Sequence, residues 1–212
     1  VKGIDIVFHA AALKHVDRCE LNPLETINVN ITGTKNIAKA AKKENIRSMI
    51  FISTDKAVNP IGVMGATKLL GEKLISAEAS HKSNTIFASV RFGNVFQTRG
   101  SILPRIEKQI SEGGPITLTN PEMKRFFMTK DDAINLIISA ATLAKGGETF
   151  VLKMPLIRLK DLFDSMKEVL ASKYGYKPSQ IKTKIIGIRP GEKLIEYLLT
   201  KFEMEHVLET KD

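Results

Sequence analysis

The chain has 212 residues, of which 43% are hydrophobic and 26% charged, and this composition excludes a disordered chain. Its net charge of +9 favours an anionic partner such as a nucleotide, with a solvated lysine surface as the alternative; few aromatic residues accompany the lysines, so nucleic acid is not expected. No apolar run approaches the roughly 20 residues that span a bilayer, and the single cysteine, Cys19, excludes an internal disulfide. We therefore expect a cytoplasmic protein with no membrane segment in this chain.

The first half of the chain alternates between strand and helix patterns. Residues 4–9 form a short apolar run that predicts a central strand buried on both faces. Pro23 starts a predicted helix that continues to about residue 44. Further strands are predicted over 46–54 and 85–95, on either side of a helix over 63–80. This alternation predicts an α/β fold with a Rossmann-like, doubly wound parallel sheet.

Beyond Asn94 the predicted elements become shorter and mixed. They are a helix ending at Gly113-Gly114, extended pieces at 115–119 and 124–129, a helix over 130–145, a strand over 148–153, a helix over 159–175, a strand over 182–187 and a last helix opening in 189–199. We expect residues 1–112 to form the part of the chain that contains the Rossmann-like sheet. Residues 113–212 are expected to form a smaller substrate-binding lobe, with the helix over 130–145 packing back on the sheet.

The chain begins at Val1, directly before a strand pattern, and contains no Gly-x-Gly-x-x-Gly loop after a strand. Gly62, Gly65 and Gly71 have the wrong spacing for that loop. Either the protein uses no dinucleotide, or the loop belongs to an N-terminal part that is missing here. We expect the second, and we expect the uncovered sheet edge to make the chain prone to association.

Most polar residues that need an explanation follow three predicted strands, in segments 9–15, 53–56 and 91–99. Ligands of open α/β sheets bind at the carboxyl ends of the strands. The sequence therefore predicts a site at this edge. His9 and His15 lack partners at metal-binding spacing, so no metal is expected.

Six motifs occur in an order found in a known family. They are HAAALKHV (9–16), STDKAVNP (53–60), MGATK (64–68), RFGNV (91–95), RFFMT (125–129) and IRPGEKL (188–194). Together they resemble the polysaccharide-biosynthesis branch of the extended short-chain dehydrogenase/reductases, in particular UDP-N-acetylglucosamine 4,6-dehydratases and their capsular relatives. The resemblance implies a homo-oligomeric enzyme with a UDP-sugar substrate and a nicotinamide cofactor, NADP or NAD. It also implies that residues 1–112 are the C-terminal part of an NAD(P)-binding Rossmann domain. In such an enzyme a hydride leaves sugar C4, water is eliminated across C5 and C6, and the hydride returns to C6.

The resemblance also implies catalytic roles for the residues around the second strand. Lys56 is implied as the base that takes the C5 proton, and Asp55 as the acid that protonates the leaving hydroxyl. Thr54 would bind the C4 oxygen, and Lys68 the nicotinamide ribose. Met64 stands where family members commonly carry the tyrosine of Tyr-x-x-x-Lys, and a thioether has no proton to exchange. The C4 proton would then pass through Thr54, Asp55 or water.

Further residues are implied as ligands of cofactor or substrate. The implied cofactor-binding residues are Ala10, Ala11, Ala12, Lys14, Asn30, Ser53 and Lys68. The implied substrate-binding residues are Lys14, His15, Asn94, Arg99, Thr117, Arg189 and Glu192, with Asn94 and Arg189 on the diphosphate.

Blander interpretations stand beside these roles. Asp55 and Lys56 could be an exposed ion pair in a turn, Lys68 a solvated helix lysine, Met64 a core residue and His15 a helix-start residue. At the level of the whole chain, the alternatives are a non-catalytic paralogue that binds nucleotide-sugars or a partner chain, and a nucleotide-sugar 4-epimerase.

Overall fold

The computed structural model describes residues 1–80, 83–96, 98 and 101–210. The strands in these residues are β1 (Ile6–His9), β2 (Ser48–Thr54), β3 (Ile86–Phe92), β4 (Asn94–Val95), β5 (Ile116–Leu118), β6 (Lys124–Met128), β7 (Thr149–Val151), β8 (Leu156–Arg158) and β9 (Thr183–Ile185). The α-helices are α1 (Val16–Leu21), α2 (Pro23–Ile27), α3 (Gly33–Lys43), α4 (Val63–Ser80), α5 (Ile102–Ser111), α6 (Lys130–Leu143), α7 (Leu159–Leu170) and α8 (Lys201–Met204). None of these helices combines the length and apolarity needed to cross a membrane.

Four strands form the central sheet in the order β1-β2-β3-β7, and each neighbouring pair is parallel. The predicted parallel α/β fold is therefore confirmed. The expectation that residues 4–9 form a strand buried on both faces is wrong. β1 lies at one edge of this sheet, and the side chain of Phe8 is 48% exposed. The apolar run indicated a covered strand, but no helix covers that side of Phe8 among the described residues.

Helices cover both faces of β2 and β3, as a doubly wound fold requires. Because successive side chains of a strand point to opposite faces, neighbouring residues belong to different cores. Phe51 and Phe87 pack with α3 and α4 on one face. Ile50 and Val90 pack with α6 on the other face.

The predicted helix from Pro23 to about residue 44 is present in three consecutive pieces. α2 and α3 are joined by a π-helical turn, Asn28–Thr32. This turn contains the buried side chain of Asn30. π-Turns within helices often occur at functional sites, and this one lies beside the loop that follows β1.

A second core lies below the carboxyl ends of the central strands. It joins α5 and α7 to the β5–β9 pair through residues such as Ile106, Ile116 and Phe163. β4, β6 and β8 form a small sheet beside it. α6 and β7 follow residue 112 in the chain, yet both pack on the central sheet. The division at residue 112 stays a prediction.

The helix expected to open in 189–199 is wrong. Gly191 has a left-handed φ of +77°, and Ile195 forms an isolated parallel bridge with Lys124 instead of a helical turn. The buried Arg125 guanidinium donates hydrogen bonds to the carbonyl oxygens of Lys193 and Leu194. These contacts hold the segment extended, and among residues 189–210 only α8 is helical.

Candidate active site

Three consecutive residues at the carboxyl end of β2 form a compact hydrogen-bonded group. β2 leads into a single 3₁₀ turn, Asp55–Ala57, and Thr54 caps it by accepting a hydrogen bond from Lys56 N at 3.4 Å. The Thr54 hydroxyl donates to Asp55 Oδ1 at 3.0 Å, and Lys56 Nζ donates to the same oxygen at 2.9 Å. Asp55 is 0% exposed, which excludes the interpretation of an exposed ion pair.

The carboxylate of this group is enclosed by the chain, and Asp55 lines neither of the two cavities described below. Asp55 Oδ2 is buried and has no hydrogen-bond partner in the described part of the chain. A buried acceptor left without a partner is unfavourable, so such atoms mark places where a ligand or water completes the site. Lys56 Nζ also lies 3.4 Å from Asn94 Oδ1 and 3.9 Å from Glu196 Oε1. The amine therefore lies where two chain segments meet.

Lys68 enters the same region from α4. Its side chain is buried, its Nζ donates to the Ile52 carbonyl oxygen, and it lies 4.0 Å from the centroid of the Phe51 ring. Burial lowers the pKa of Lys68 to about 8, and the nearby Glu72 carboxylate partly offsets this effect. Met64, one turn earlier on α4, is 5% exposed and lies against the same cavity. Lys68 is thus a buried cation rather than a solvated helix lysine.

A buried polar network fixes the loop after β1. Asn30 Oδ1 accepts from Leu13 N at 2.8 Å, and its Nδ2 donates to Leu13 O at 3.1 Å and to Thr67 Oγ1 at 3.0 Å. The Thr34 hydroxyl donates to Asn30 O, so it accepts a hydrogen bond from His9 Nε2–H at 3.0 Å. Burial and Lys68 both lower the pKa of His9, which favours its neutral form. The network ties this loop to α4.

A cavity of about 750 Å³, here called the strand-end cavity, opens above these residues. The implied site residues that line it are Ala10, Ala12, Lys14, His15, Ser53, Thr54, Lys56, Met64, Lys68 and Asn94. His15 is also the N-cap of α1, so its helix-start interpretation holds as well. Ala11 lies outside the lining, and the polar atoms of Asn30 are occupied by the loop and α4. The ligand roles of both stay predictions.

The residues of the strand-end cavity fit a nicotinamide cofactor. Ser53 Oγ is buried at the end of β2 and has no hydrogen-bond partner among the described residues. Ala10 and Ala12 leave the loop after β1 without bulky side chains, so a ligand can approach its backbone. Lys68 supplies a cation nearby. These residues would hold the ribose and nicotinamide portions.

A second cavity of about 550 Å³, here called the arginine cavity, joins the first at Lys56, Asn94, Ser101 and Ile102. Its charged lining residues are Lys56, Arg105, Lys108, Arg125, Arg189, Glu192 and Glu196. Arg189 and Glu192 were implied as substrate ligands. The sequence did not predict Arg105, Arg125 or Glu196 as site residues. For Arg105 a signal existed, because Ser101, Arg105 and Lys108 have the spacing that places residues on one face of a helix.

The outcome for two further implied substrate ligands, Thr117 and Arg99, differs. Thr117 lines neither cavity, because its backbone N–H and hydroxyl pair with the side-chain amide of Gln109 at 3.0 Å. Arg99 lies outside the described residues. Their roles stay predictions.

The fold and the strand-end residues together define a class, a Rossmann-like parallel α/β protein with two joined cavities at the sheet edge. The family described as polysaccharide biosynthesis protein matches residues 1–212. The chain belongs to this polysaccharide biosynthesis protein family. The resemblance found in the sequence is confirmed at this level.

Several curated relatives cover nearly all of the chain. An uncharacterized membrane protein of Methanocaldococcus jannaschii is 54% identical, over 100% of this chain and 64% of that protein. The capsular polysaccharide biosynthesis protein CapD of Staphylococcus aureus is 48% identical, over 93% of this chain and 33% of that protein. A UDP-glucose 4-epimerase of Rickettsia canadensis is 40% identical, over 95% of this chain and 58% of that protein. The chain thus spans 33% to 64% of the length of these relatives.

Solved structures share the fold. Pen from Bacillus thuringiensis matches with a TM-score of 0.90 and 47% identity, over 94% of this chain and 61% of that chain. A dTDP-glucose 4,6-dehydratase from Streptomyces venezuelae, solved with NAD and TYD bound, matches with a TM-score of 0.80 and 19% identity. The match covers 97% of this chain and 67% of that chain. At 19% identity the second match shows the fold alone.

Proposed function

We propose that the chain carries the catalytic residues and the substrate-binding lobe of a nucleotide-sugar 4,6-dehydratase that acts on UDP-N-acetylglucosamine. The observation that carries the proposal is the buried Asp55 carboxylate, which shares one oxygen with Thr54 and Lys56 and leaves its other oxygen without a partner. An elimination needs a base and an acid side by side, and this pair offers both within one hydrogen bond. Lys56 lines both cavities, whereas Asp55 is buried beneath it and lines neither, so Asp55 acts through its hydrogen bond to Lys56 unless the site opens on binding.

Asp55 and Lys56 reach the protonation states that an elimination needs when one proton passes from Lys56 to Asp55. When substrate excludes water, the proton of Lys56 Nζ passes along the 2.9 Å hydrogen bond to Asp55 Oδ1, which leaves a neutral amine and a carboxylic acid. Lys56 then takes the C5 proton, a C5–C6 double bond forms, and the C6–O bond breaks. Asp55 protonates the leaving oxygen and water departs, which restores the starting charges of both residues. Lys56 then returns a proton to C5 as C6 is reduced, and takes up the proton that was released from the C4 hydroxyl.

The other residues position the two ligands. A nicotinamide cofactor, NAD or NADP, supplies hydride acceptance from C4 and hydride return to C6 when bound. Ser53 and Lys68 would hold it in the strand-end cavity. Asn94 and Arg189 would bind the diphosphate and Glu192 the nucleotide ribose in the arginine cavity. Met64 offers no exchangeable proton, so the C4 proton leaves through another group.

The first prediction concerns Lys56→Ala and Asp55→Asn. We expect each to lower kcat of the complete protein carrying this chain by about 10²–10⁴, because each removes one partner of the proton-transfer pair. The measurement is formation of the 4-keto-6-deoxy product from UDP-N-acetylglucosamine by mass spectrometry. Lys39→Ala, an exposed lysine on α3, is the control. No dehydration by the wild-type protein with cofactor bound would contradict the proposal.

A second candidate, a nucleotide-sugar 4-epimerase, is favoured by one observation, the 40% identity to the rickettsial UDP-glucose 4-epimerase. Epimerisation at C4 needs no base for the C5 proton. In D₂O a dehydratase introduces deuterium at C5 and its product has lost one water. An epimerase gives an isomer of the substrate with no deuterium at C5.

A further inference from the structure

The face of α5 that borders the arginine cavity carries two cations in addition to an N-cap serine. Ser101, Arg105 and Lys108 follow one another at helical spacing, and all three line the cavity, while Ile106 and Ile110 anchor the opposite face in the core. Ser101 Oγ has no hydrogen-bond partner among the described residues. α5 is therefore held rigidly with a polar face toward the cavity.

Arg105 and Arg189 both line this cavity, together with the carboxylate of Glu192. Among the described residues, neither guanidinium forms an ion pair within 4 Å or a side-chain hydrogen bond, whereas Glu196 is occupied by Lys193 at 3.0 Å. Arg105 stays partly exposed; partial desolvation and the charge of Arg189 lower its pKa, and Glu192 partly offsets this. Five cationic side chains and two carboxylates line the cavity, so an anion bound there meets net positive charge.

We propose that Arg105 is a specificity-determining residue, which grips a diphosphate together with Arg189 and makes the site prefer nucleoside diphosphates to monophosphates. This inference rests on the proposed function and adds to it a residue that the family motifs do not contain. Two guanidinium forks in one cavity can each bind one phosphate group of a diphosphate, and a single phosphate can be held by Arg189 alone.

The experiment measures binding of UDP and UMP to the 212-residue chain by isothermal titration calorimetry. In Arg105→Gln we expect UDP affinity to fall about tenfold and UMP affinity to change less than about twofold. Arg105→Lys keeps the charge but loses the fork, and its UDP affinity should be intermediate. Arg47→Gln, an exposed arginine before β2 at the amino end of the sheet, loses the same charge and should bind like wild type.

The outcomes separate the inference from the proposed function. If wild type binds UDP and Arg105→Gln binds it equally well, or loses UDP and UMP affinity in equal measure, the role of Arg105 is overturned while the nucleotide site stands. If wild type binds neither nucleotide, the proposed site and the inference both fall. Arg105 is exposed, so its replacement should leave the melting temperature unchanged, and a melting curve of each variant checks this.

Discussion

Lys68 is a buried cation that lowers the stability of the fold and lies where it can bind a ligand. It is 6% exposed and makes no ion pair within 4 Å among the described residues, although Glu72 lies one turn away on α4. A carbonyl oxygen and the Phe51 ring replace the water that an ammonium group would otherwise bind. Such partners compensate only part of the desolvation of a charge.

Lys68→Met is therefore predicted to stabilise the protein while it abolishes function. Methionine keeps most of the packed volume and removes the buried charge, so we expect the free energy of unfolding at pH 7 to rise by about 1–2 kcal/mol. Urea unfolding of the 212-residue chain measures it. Lys73→Met, an exposed lysine on the same helix, should change stability by less than about 0.5 kcal/mol.

The pH dependence gives this prediction a second readout. The pKa of Lys68 is about 8 in the folded chain, below its ordinary value of 10.5. Below pH 8 the lysine is charged in both states and the full desolvation penalty applies. As pH rises from 8 to 10.5, the folded state gives up its proton first and wild-type stability gains relative to the variant. A stability difference that stays constant through this window would contradict the assignment.

The sequence predicted some of the contacts in this site and missed others. Thr54, Asp55 and Lys56 are adjacent, so a strand end followed by a turn places them together. Asn94 and Glu196, which complete the surroundings of Lys56, come from distant segments and meet it only through tertiary packing. Local pattern cannot reveal a contact whose partners are fixed by loop geometry.

At the level of elements, one arginine ties the chain's last helix to the sheet. Arg91 on β3 is 2% exposed, pairs through two hydrogen bonds with Glu72 on α4 and through two more with Glu203 on α8. Its fifth bond goes to the carbonyl oxygen of Leu198. Arg91 is three residues before Asn94, so the clamp fixes α8 relative to the site.

Glu203→Gln is predicted to loosen α8. Loss of the charge weakens two charge-assisted hydrogen bonds, and we expect the free energy of unfolding to fall by about 1–3 kcal/mol. Arg91 and the start of α8 lower the pKa of Glu203 to about 2, against burial that would raise it. The stabilisation is therefore complete above pH 4.5 and disappears as pH falls towards 2.

Denaturation of both proteins between pH 2.5 and 7 measures this effect. The difference between wild type and Glu203→Gln should shrink steadily below pH 4.5. Glu205→Gln, an exposed neighbour, should match wild type throughout. If Glu203→Gln and Glu205→Gln behave alike, the clamp does not hold α8.

Helices with a regular spacing of apolar residues were predicted correctly. The helix predicted in segment 189–199 was not, and its absence has a physical cause. α4 spans the predicted residues 63–80, and α6 begins with the capping box of Thr129 and Asp132. Segment 189–199 carries helix-forming residues too, but its carbonyl groups are bound by Arg125. Tertiary hydrogen bonds outweigh helix propensities of a few tenths of a kcal/mol per residue.

At the scale of the whole molecule, the exposed edge of the central sheet is the feature most open to association. β1 pairs on one side with β2, and the N–H and C=O groups of its other side have no strand partner among the described residues. Phe8 is 48% exposed and Ile4 49% exposed beside them. An apolar edge strand with free backbone groups is a template for pairing, and salt screens most of the repulsion between molecules that each carry a net charge of +9.

Phe8→Lys is therefore predicted to weaken self-association of the 212-residue chain. Burying the exposed half of a phenylalanine contributes roughly 2 kcal/mol per copy, so the dissociation constant should rise at least about tenfold. Sedimentation velocity across a range of concentrations measures it. Leu208→Lys adds the same charge at a residue that is 93% exposed but belongs to no strand, so it separates loss of the edge contact from general repulsion. A monodisperse wild-type monomer with cooperative melting, or equal effects of the two lysines, would show that β1 is not the surface through which the molecules associate.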